Sequence, residues 1–124
     1  MDLTPVILEN DFVRLEPMEE RHREILRPLA QDEDIWRLMT LRGDGEHFDR
    51  WFDLMLATQA TGSQISHAIF DTATGAAVGH SAYLVISPVN QRAEIGWTWY
   101  AASARGTAIN PACKHLLLGR LFDC

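Results

Sequence analysis

The sequence is poor in cysteine and in positive charge, and it has no long apolar run. Its two cysteines, Cys113 inside a helical pattern and Cys124 at the last position, make no disulfide framework, so free thiols in a reducing compartment are expected. Met1-Asp2-Leu3-Thr4-Pro5 lacks the basic segment and apolar core of a secretory signal, and a cytoplasmic location follows as the default. Every apolar stretch is interrupted well short of the roughly 20 residues needed to span a bilayer, so no membrane association is expected. Eleven Lys and Arg against 17 Asp and Glu give a net charge of −6, which argues against nucleic acid as a partner. His22, His47, His67, His80 and His115 show no metal-ligand spacing with one another or with the cysteines, and no metal site is expected. Neither a Gly-x-Ser-x-Gly elbow nor a Gly-x-x-x-x-Gly-Lys-Ser/Thr loop occurs, which removes the common hydrolase and nucleoside-triphosphatase signatures.

With 124 residues, 47% of them hydrophobic and 23% charged, the chain has the size and composition of one globular domain, or of one piece of a domain. The acidity is concentrated before residue 35, whereas the segment from Arg105 onward carries only Arg105, Lys114, Arg120 and Asp123 and can tolerate an anionic ligand. Val6–Glu9 and Phe12–Glu16 flank the turn-prone pair Asn10-Asp11 and read as a strand or tight hairpin. Apolar residues at Met18, Ile25, Leu26 and Leu29 describe a first helix that Pro28 should end or kink. Phe48, Trp51, Phe52, Met55 and Leu56 form a second helical stripe after the Gly43-Asp44-Gly45 break.

Three strands are expected at Ile65–Asp71, Ala77–Ile86 and Ala93–Tyr100, antiparallel because the connections are short. Asn110 then supplies an N-cap with Pro111 at the first helical position, and the last helix carries Cys113, Leu116, Leu117, Leu118, Leu121 and Phe122. The order strand, helix, helix, three strands, helix gives an α+β (mixed α/β) domain. No strand follows the last helix, so apolar surface is expected on Leu116, Leu117, Leu118 and Leu121, as in a domain lacking its C-terminal part. Of Trp36, Trp51, Trp97 and Trp99, at least three are expected in the core.

The chemically informative stretch is Ala93 to Pro111: a strand, a loop of small residues, then the start of a helix. Small residues let backbone N–H groups approach a ligand, and the first helical turn leaves unpaired donors at the positive end of the helix dipole. Phosphate oxygens suit such a place, and Arg105 adds a charge-assisted donor.

This segment resembles the acetyl-CoA signature of the GCN5-related N-acetyltransferases, whose pattern is Arg or Gln, two residues, Gly, one residue, then Gly or Ala. Arg105 takes the first position, while Ala108 and Asn110 depart from the other two. Glu94-Ile95-Gly96-Trp97-Thr98-Trp99 and the entry Asn110-Pro111-Ala112-Cys113-Lys114 are similar to the branch containing the ribosomal-protein N-terminal acetyltransferases RimJ and RimL, and the element order over residues 6 to 122 follows that family. The resemblance implies an acyl-CoA N-acyltransferase fold, with residues 1–124 forming the N-terminal and CoA-binding portion of a single domain. It implies that backbone N–H groups of Arg105, Gly106, Thr107, Ala108, Ile109 and Asn110 hold the pyrophosphate of acetyl-CoA, and that the strand at Thr98, Trp99 and Tyr100 pairs with the pantetheine arm. A backbone N–H near Trp99 or Tyr100 would polarise the thioester. The family's usual general acid, a Tyr beyond the last helix, matches neither Tyr83 nor Tyr100.

Acetyl transfer needs a neutral amine, and Glu94 is the candidate base. Regular strand alternation would put Glu94, Gly96, Thr98 and Tyr100 on one face, leaving room over Gly96 for an acceptor. The expected activity is direct transfer of acetyl from acetyl-CoA to a protein N-terminus or a small-molecule amine. The alternatives are a non-catalytic acyl-CoA-binding or dimerisation module and an inactive truncated fragment. A second copy covering an open strand edge as a homodimer is a further expectation.

Overall fold

A computed structural model describes residues 6–37, 39, 41–87, 92–101, 104, 107 and 109–123. β1 (Leu8–Glu9) and β2 (Val13–Pro17) form the expected hairpin. Asn10 closes it, its side-chain oxygen accepting from the N–H groups of Phe12 at 2.9 Å and Val13 at 3.0 Å, as a turn-forming Asn does. A 3-10 turn at Glu20–His22 leads into α1 (Arg23–Leu26). The α-helix stops two residues before Pro28 and continues as a 3-10 segment, Arg27–Gln31, because proline disfavours the α conformation in the residue before it and offers no N–H. A short helix without a sequence forecast follows, α2 (Glu33–Trp36), capped by Asp32, whose carboxylate accepts from the Asp34 N–H at 3.0 Å. α3 (Phe48–Ala60) then precedes β3 (Gln64–Asp71), β4 (Ala77–Ser87), β5 (Arg92–Tyr100) and α4 (Ile109–Asp123). The strands run antiparallel in the order β1-β2-β3-β4-β5, an α+β sheet with helices on both sides.

Each face of the sheet buries its own apolar layer. On one, Val13, Leu15, Ile65, Ile69, Tyr83 and Tyr100 pack against Ile109, Cys113 and Leu117 of α4. On the other, Ala68 and Trp99 pack against Trp36 and the α3 stripe Phe48, Trp51, Phe52 and Met55, all four of which are at most 1% exposed. Trp36, Trp51 and Trp99 are core residues as expected, and Trp97 is partly buried beside them.

Two expectations for the last helix are corrected. α4 begins at Ile109, so Asn110 and Pro111 lie inside its first turn, where a missing proline N–H costs nothing because those donors have no intrahelical partner. Leu117 is fully buried and Leu116 packs on the core, leaving Leu118 exposed; Leu121 lies outside the described side chains. The cause is that α4 lies on the sheet itself, where the Leu117 carbonyl accepts from the Tyr83 hydroxyl at 2.5 Å.

Arginines fasten the helical layer. Arg23 reaches Asp49 at 3.1 Å and Asp53 at 2.5 Å while its guanidinium lies 4.5 Å over the Phe52 ring, and Arg27 repeats the arrangement over Phe48 at 4.9 Å. Exposed ion pairs contribute little alone, but the stacked guanidiniums also cover the rim of the aromatic core.

Glu16 ties β2 to the turn before α1. Its carboxylate accepts from Arg14 at 2.9 Å, Arg21 at 2.8 Å and His22 Nε2 at 3.0 Å. His22 Nδ1 accepts from the Glu19 N–H at 2.9 Å, so Nε2 is the nitrogen that carries the donated hydrogen. Partial burial alone would raise the Glu16 pKa, but these three donors outweigh it and hold the carboxyl at about 2. A folded-state pKa below the unfolded one gives stability that is present above about pH 4.5 and is lost as pH falls toward 2. Glu16→Gln should therefore be less stable than wild type by on the order of 2–3 kcal/mol at pH 6, with the gap closing between pH 4.5 and 2 in urea denaturation at fixed ionic strength.

Candidate functional site

β5 is not a regular strand. Ala82 pairs with Gly96 and His80 with Trp99, so Trp97 and Thr98 together stand opposite the single residue Ser81. That two-against-one count is a β-bulge, and Trp97 adopts φ 49° at it. A positive φ in a bulky non-glycine residue is uncommon and persists where surrounding contacts over-determine it. Two contacts do so: His80 Nδ1 lies 2.7 Å from the Trp97 carbonyl oxygen, and the Ser81 and Thr98 hydroxyls are 2.7 Å apart. β4 also approaches β5 closely, since a Cβ on Gly79 would stand 2.1 Å from the Trp99 carbonyl oxygen.

The bulge overturns the simple alternation expected for this strand. Before it, Ala93 and Ile95 face α4 while Glu94 and Gly96 face the other side; after it, Tyr100 faces α4 and Trp99 joins the α3 layer. Glu94 and Tyr100 thus lie on opposite faces, because one extra residue shifts the phase of a two-residue period. The room expected over Gly96 is occupied as well: a Cβ there would meet Leu84 Cδ1 at 2.3 Å. Glu94 itself is exposed and pairs with Leu84 across the ladder.

His80 is fully buried, edge-to-face with Trp51 at a centroid distance of 4.8 Å and stacked on Trp99 at 6.3 Å. A carbonyl can only accept, so Nδ1 carries the hydrogen and Nε2 is the unprotonated nitrogen. Burial lowers the pKa to about 4 against the opposing effect of the Trp97 carbonyl, which keeps the ring neutral near pH 7. Beside the bulge a hollow of about 320 Å³ is lined by Asp34, Ile35, Thr98, Trp99 and Tyr100. Asp34 is ion-paired with Arg37 one helical turn away.

Past Tyr100 the chain turns into α4. The Ala104 N–H donates to Ala101 O at 2.9 Å, the Thr107 hydroxyl to Ala104 O at 2.5 Å, and the Ile109 N–H to the Thr107 hydroxyl at 3.2 Å. The Tyr100 hydroxyl donates to Asn110 Oδ1 at 2.9 Å, which ties the end of β5 to the first turn of α4. Burial raises the Tyr100 pKa and pushes the Cys113 thiol beneath it up to about 11, so both stay protonated. A cavity of about 610 Å³ opens at this end, with Ala104, Thr107 and Ile109 on one side and Phe12, Asp71 and Thr72 on the other. A bulge whose two residues lack a register partner on β4, followed by the N-terminus of a helix, suits a ligand with a carbonyl at one end and phosphates at the other.

A family model for the acetyltransferase (GNAT) domain matches residues 13–123. The chain belongs to this acetyltransferase family. No curated protein matches it. Among solved structures, a GCN5-related N-acetyltransferase from Brucella melitensis superposes with a TM-score of 0.81 at 24% identity, over 98% of this chain and 56% of its own. A probable GNAT-family acetyltransferase from Chromobacterium violaceum gives 0.87 at 22% identity, over 99% and 63%. The ribosomal-protein alpha-N-acetyltransferase RimL in complex with coenzyme A gives 0.75 at 19% identity, over 93% and 67%. The chain thus has the GNAT fold and spans between 56% and 67% of the length of these structures.

Of the residues singled out from the GNAT signature, Tyr100, Thr107, Ile109 and Asn110 meet where β5 runs into α4, while Trp99 packs in the α3 layer and lines the hollow beside the bulge. Arg105, Gly106 and Ala108 lie outside the described residues. Among the described residues no group of three or more His, Cys, Asp or Glu is arranged to hold a metal ion, and no helix is long and apolar enough to cross a membrane. Asp34 and His80 were not singled out beforehand. Asp34 belongs to a helix too short for periodicity to show, and His80 resembles any other histidine within a strand.

The bond from Tyr100 to Asn110 carries its own prediction. Tyr100→Phe and Asn110→Ala should each cost about 1 kcal/mol in chemical denaturation, and the double variant should cost less than their sum.

Proposed function

We propose that this GNAT domain is an acetyl-CoA-dependent N-acetyltransferase acting by direct transfer to an amine, of the type that acetylates protein N-termini. The observation that carries the reading is the bulge at Trp97 and Thr98 in the strand that leads straight into α4. A trans peptide is planar, so with the Trp97 carbonyl turned toward His80 the Thr98 N–H of the same peptide points the opposite way. Neither residue has a register partner on β4. That N–H is a donor for the negative charge that develops on a thioester oxygen during acyl transfer.

Acetyl-CoA, when bound, supplies the acetyl group as an activated thioester. The N-terminal turn of α4, with the backbone from Arg105 to Asn110, is assigned to the pyrophosphate, and Trp99 and Tyr100 to the pantetheine arm. The amine must lose a proton as its nitrogen bonds to the acetyl carbon, while the departing thiolate gains one. Glu94 is assigned to the first of these transfers. Asp34 gives a second reading of the base, because it lines the hollow beside Thr98 and Trp99 and Glu94 does not.

The rival function is a module that binds acyl-CoA without turnover, and calorimetry with acetyl-CoA paired with mass spectrometry of acetylated peptide and small-amine acceptors separates the two. Binding with product formation supports the enzyme, binding without product supports the module, and no binding by a folded chain sinks both. Within the enzyme reading, Glu94→Gln should lower kcat by about 100-fold with acetyl-CoA affinity unchanged. An unchanged kcat in Glu94→Gln together with a comparable loss in Asp34→Asn would transfer the role to Asp34.

A further inference from the structure

We propose that His80 is the positioning residue of the reaction: its Nδ1–H, bonded to the Trp97 carbonyl, holds the β5 bulge in the shape that aims the Thr98 N–H away from the ladder. The inference rests on the acetyltransferase reading for its purpose and on the geometry alone for the clamp.

Three observations carry it. The contact is short, 2.7 Å, and reaches from a side chain on β4 to the backbone of the next strand. The peptide it holds follows a residue at φ 49°, a conformation that needs external support. The imidazole is itself immobilised, being fully buried between Trp51 and Trp99, so it acts as a fixed strut. The Ser81 and Thr98 hydroxyls brace the same peptide from the other side of β4. Losing the strut lets the Trp97–Thr98 peptide rotate, which moves the N–H without touching the surfaces assigned to the cofactor's phosphates. The expected signature is a loss in the chemical step at nearly constant cofactor affinity.

Two substitutions separate this role from simple packing. Asn places its side-chain N–H₂ at the same bond count from Cβ as imidazole Nδ1, and Leu fills the space without a donor. Both remove the ring from its stack, so both should lower the melting temperature. Only His80→Leu should lower kcat on the order of 100-fold, with the KM for acetyl-CoA moved less than about threefold, while His80→Asn should recover to within about tenfold of wild type. Equal losses in the two variants, or none in His80→Leu, overturn the proposal.

A measurement independent of turnover uses nitrogen-15 shifts of the His80 ring and hydrogen exchange at the Thr98 and Trp99 amides. The clamp requires the Nδ1–H tautomer and faster exchange in His80→Leu than in His80→Asn; an Nε2–H tautomer, or equal exchange, refutes it. A wild-type chain that neither binds nor turns over acetyl-CoA would sink the acetyltransferase reading, and with it the purpose assigned to His80, while the tautomer and exchange results still decide whether the clamp exists.

Discussion

One extra residue in β5, held by a hydrogen bond from His80 to the Trp97 carbonyl, decides how the two halves of the core meet. A sheet covered on both faces needs each strand to serve two layers, and a regular strand does so by strict alternation. Without the bulge, Trp99 would fall on the face of Ile95, under α4, and Tyr100 on the opposite face. With it, Trp99 completes an aromatic group with Trp36, Trp51 and His80, at centroid distances of 5.8, 5.9 and 6.3 Å. Tyr100 then turns under α4 and bonds to Asn110. Strain of about 1–3 kcal/mol at a positive-φ residue is of the size that two hydrogen bonds and the placement of two large rings offset. The same irregularity serves both cores and anchors α4.

The charges around this frame are arranged to stay out of its way. Net acidity before residue 35 looks from composition like an open negative field. In the folded chain much of it is spent internally, with Glu16 on Arg14, Arg21 and His22, and Glu20 and Glu24 on Arg23 and Arg27. Those arginines are equally committed, and they line the helical layer rather than the junction of β5 with α4. An anion arriving at that junction therefore meets backbone N–H groups and the dipole of α4 ahead of any of these guanidiniums. Under the proposed assignment of the phosphates to main chain, side-chain change is tolerated, which is consistent with Ala108 and Asn110 standing where the family's signature usually has glycine or alanine.

How far the sequence foretold this depends on whether a feature repeats. β3, β4 and β5 were placed within a residue or so, because alternation and turn residues mark both ends, and the α3 stripe from Phe48 to Leu56 showed its 3.6-residue period over more than two turns. The four-residue α2 is too short to display a period, and Pro28 revealed where α1 would stop but not that a 3-10 segment would carry the chain onward. The start of α4 was misjudged by two residues because Asn-Pro is as acceptable inside a first turn as at a cap. The bulge left no mark at all. Glycine would have announced a positive φ, and a tryptophan stands there instead, sustained by a histidine seventeen residues earlier in sequence.

A histidine suits that strut for reasons that go beyond the single bond. The position is dry, so a lysine or arginine donor would carry a charge that burial penalises, whereas imidazole kept neutral by a pKa near 4 loses little solvation. Serine or threonine could donate to the carbonyl but would leave Trp51 and Trp99 without the flat ring that both of them contact. Imidazole does both, stacking on one indole and meeting the edge of the other while its Nδ1–H faces β5. The consequence is mechanical coupling: Trp51 lies on α3, His80 on β4 and the held peptide on β5. A shift in how α3 sits on the sheet is thus transmitted through one rigid ring to the Trp97–Thr98 peptide, so the packing of the aromatic core and the geometry of the β5 bulge cannot vary independently.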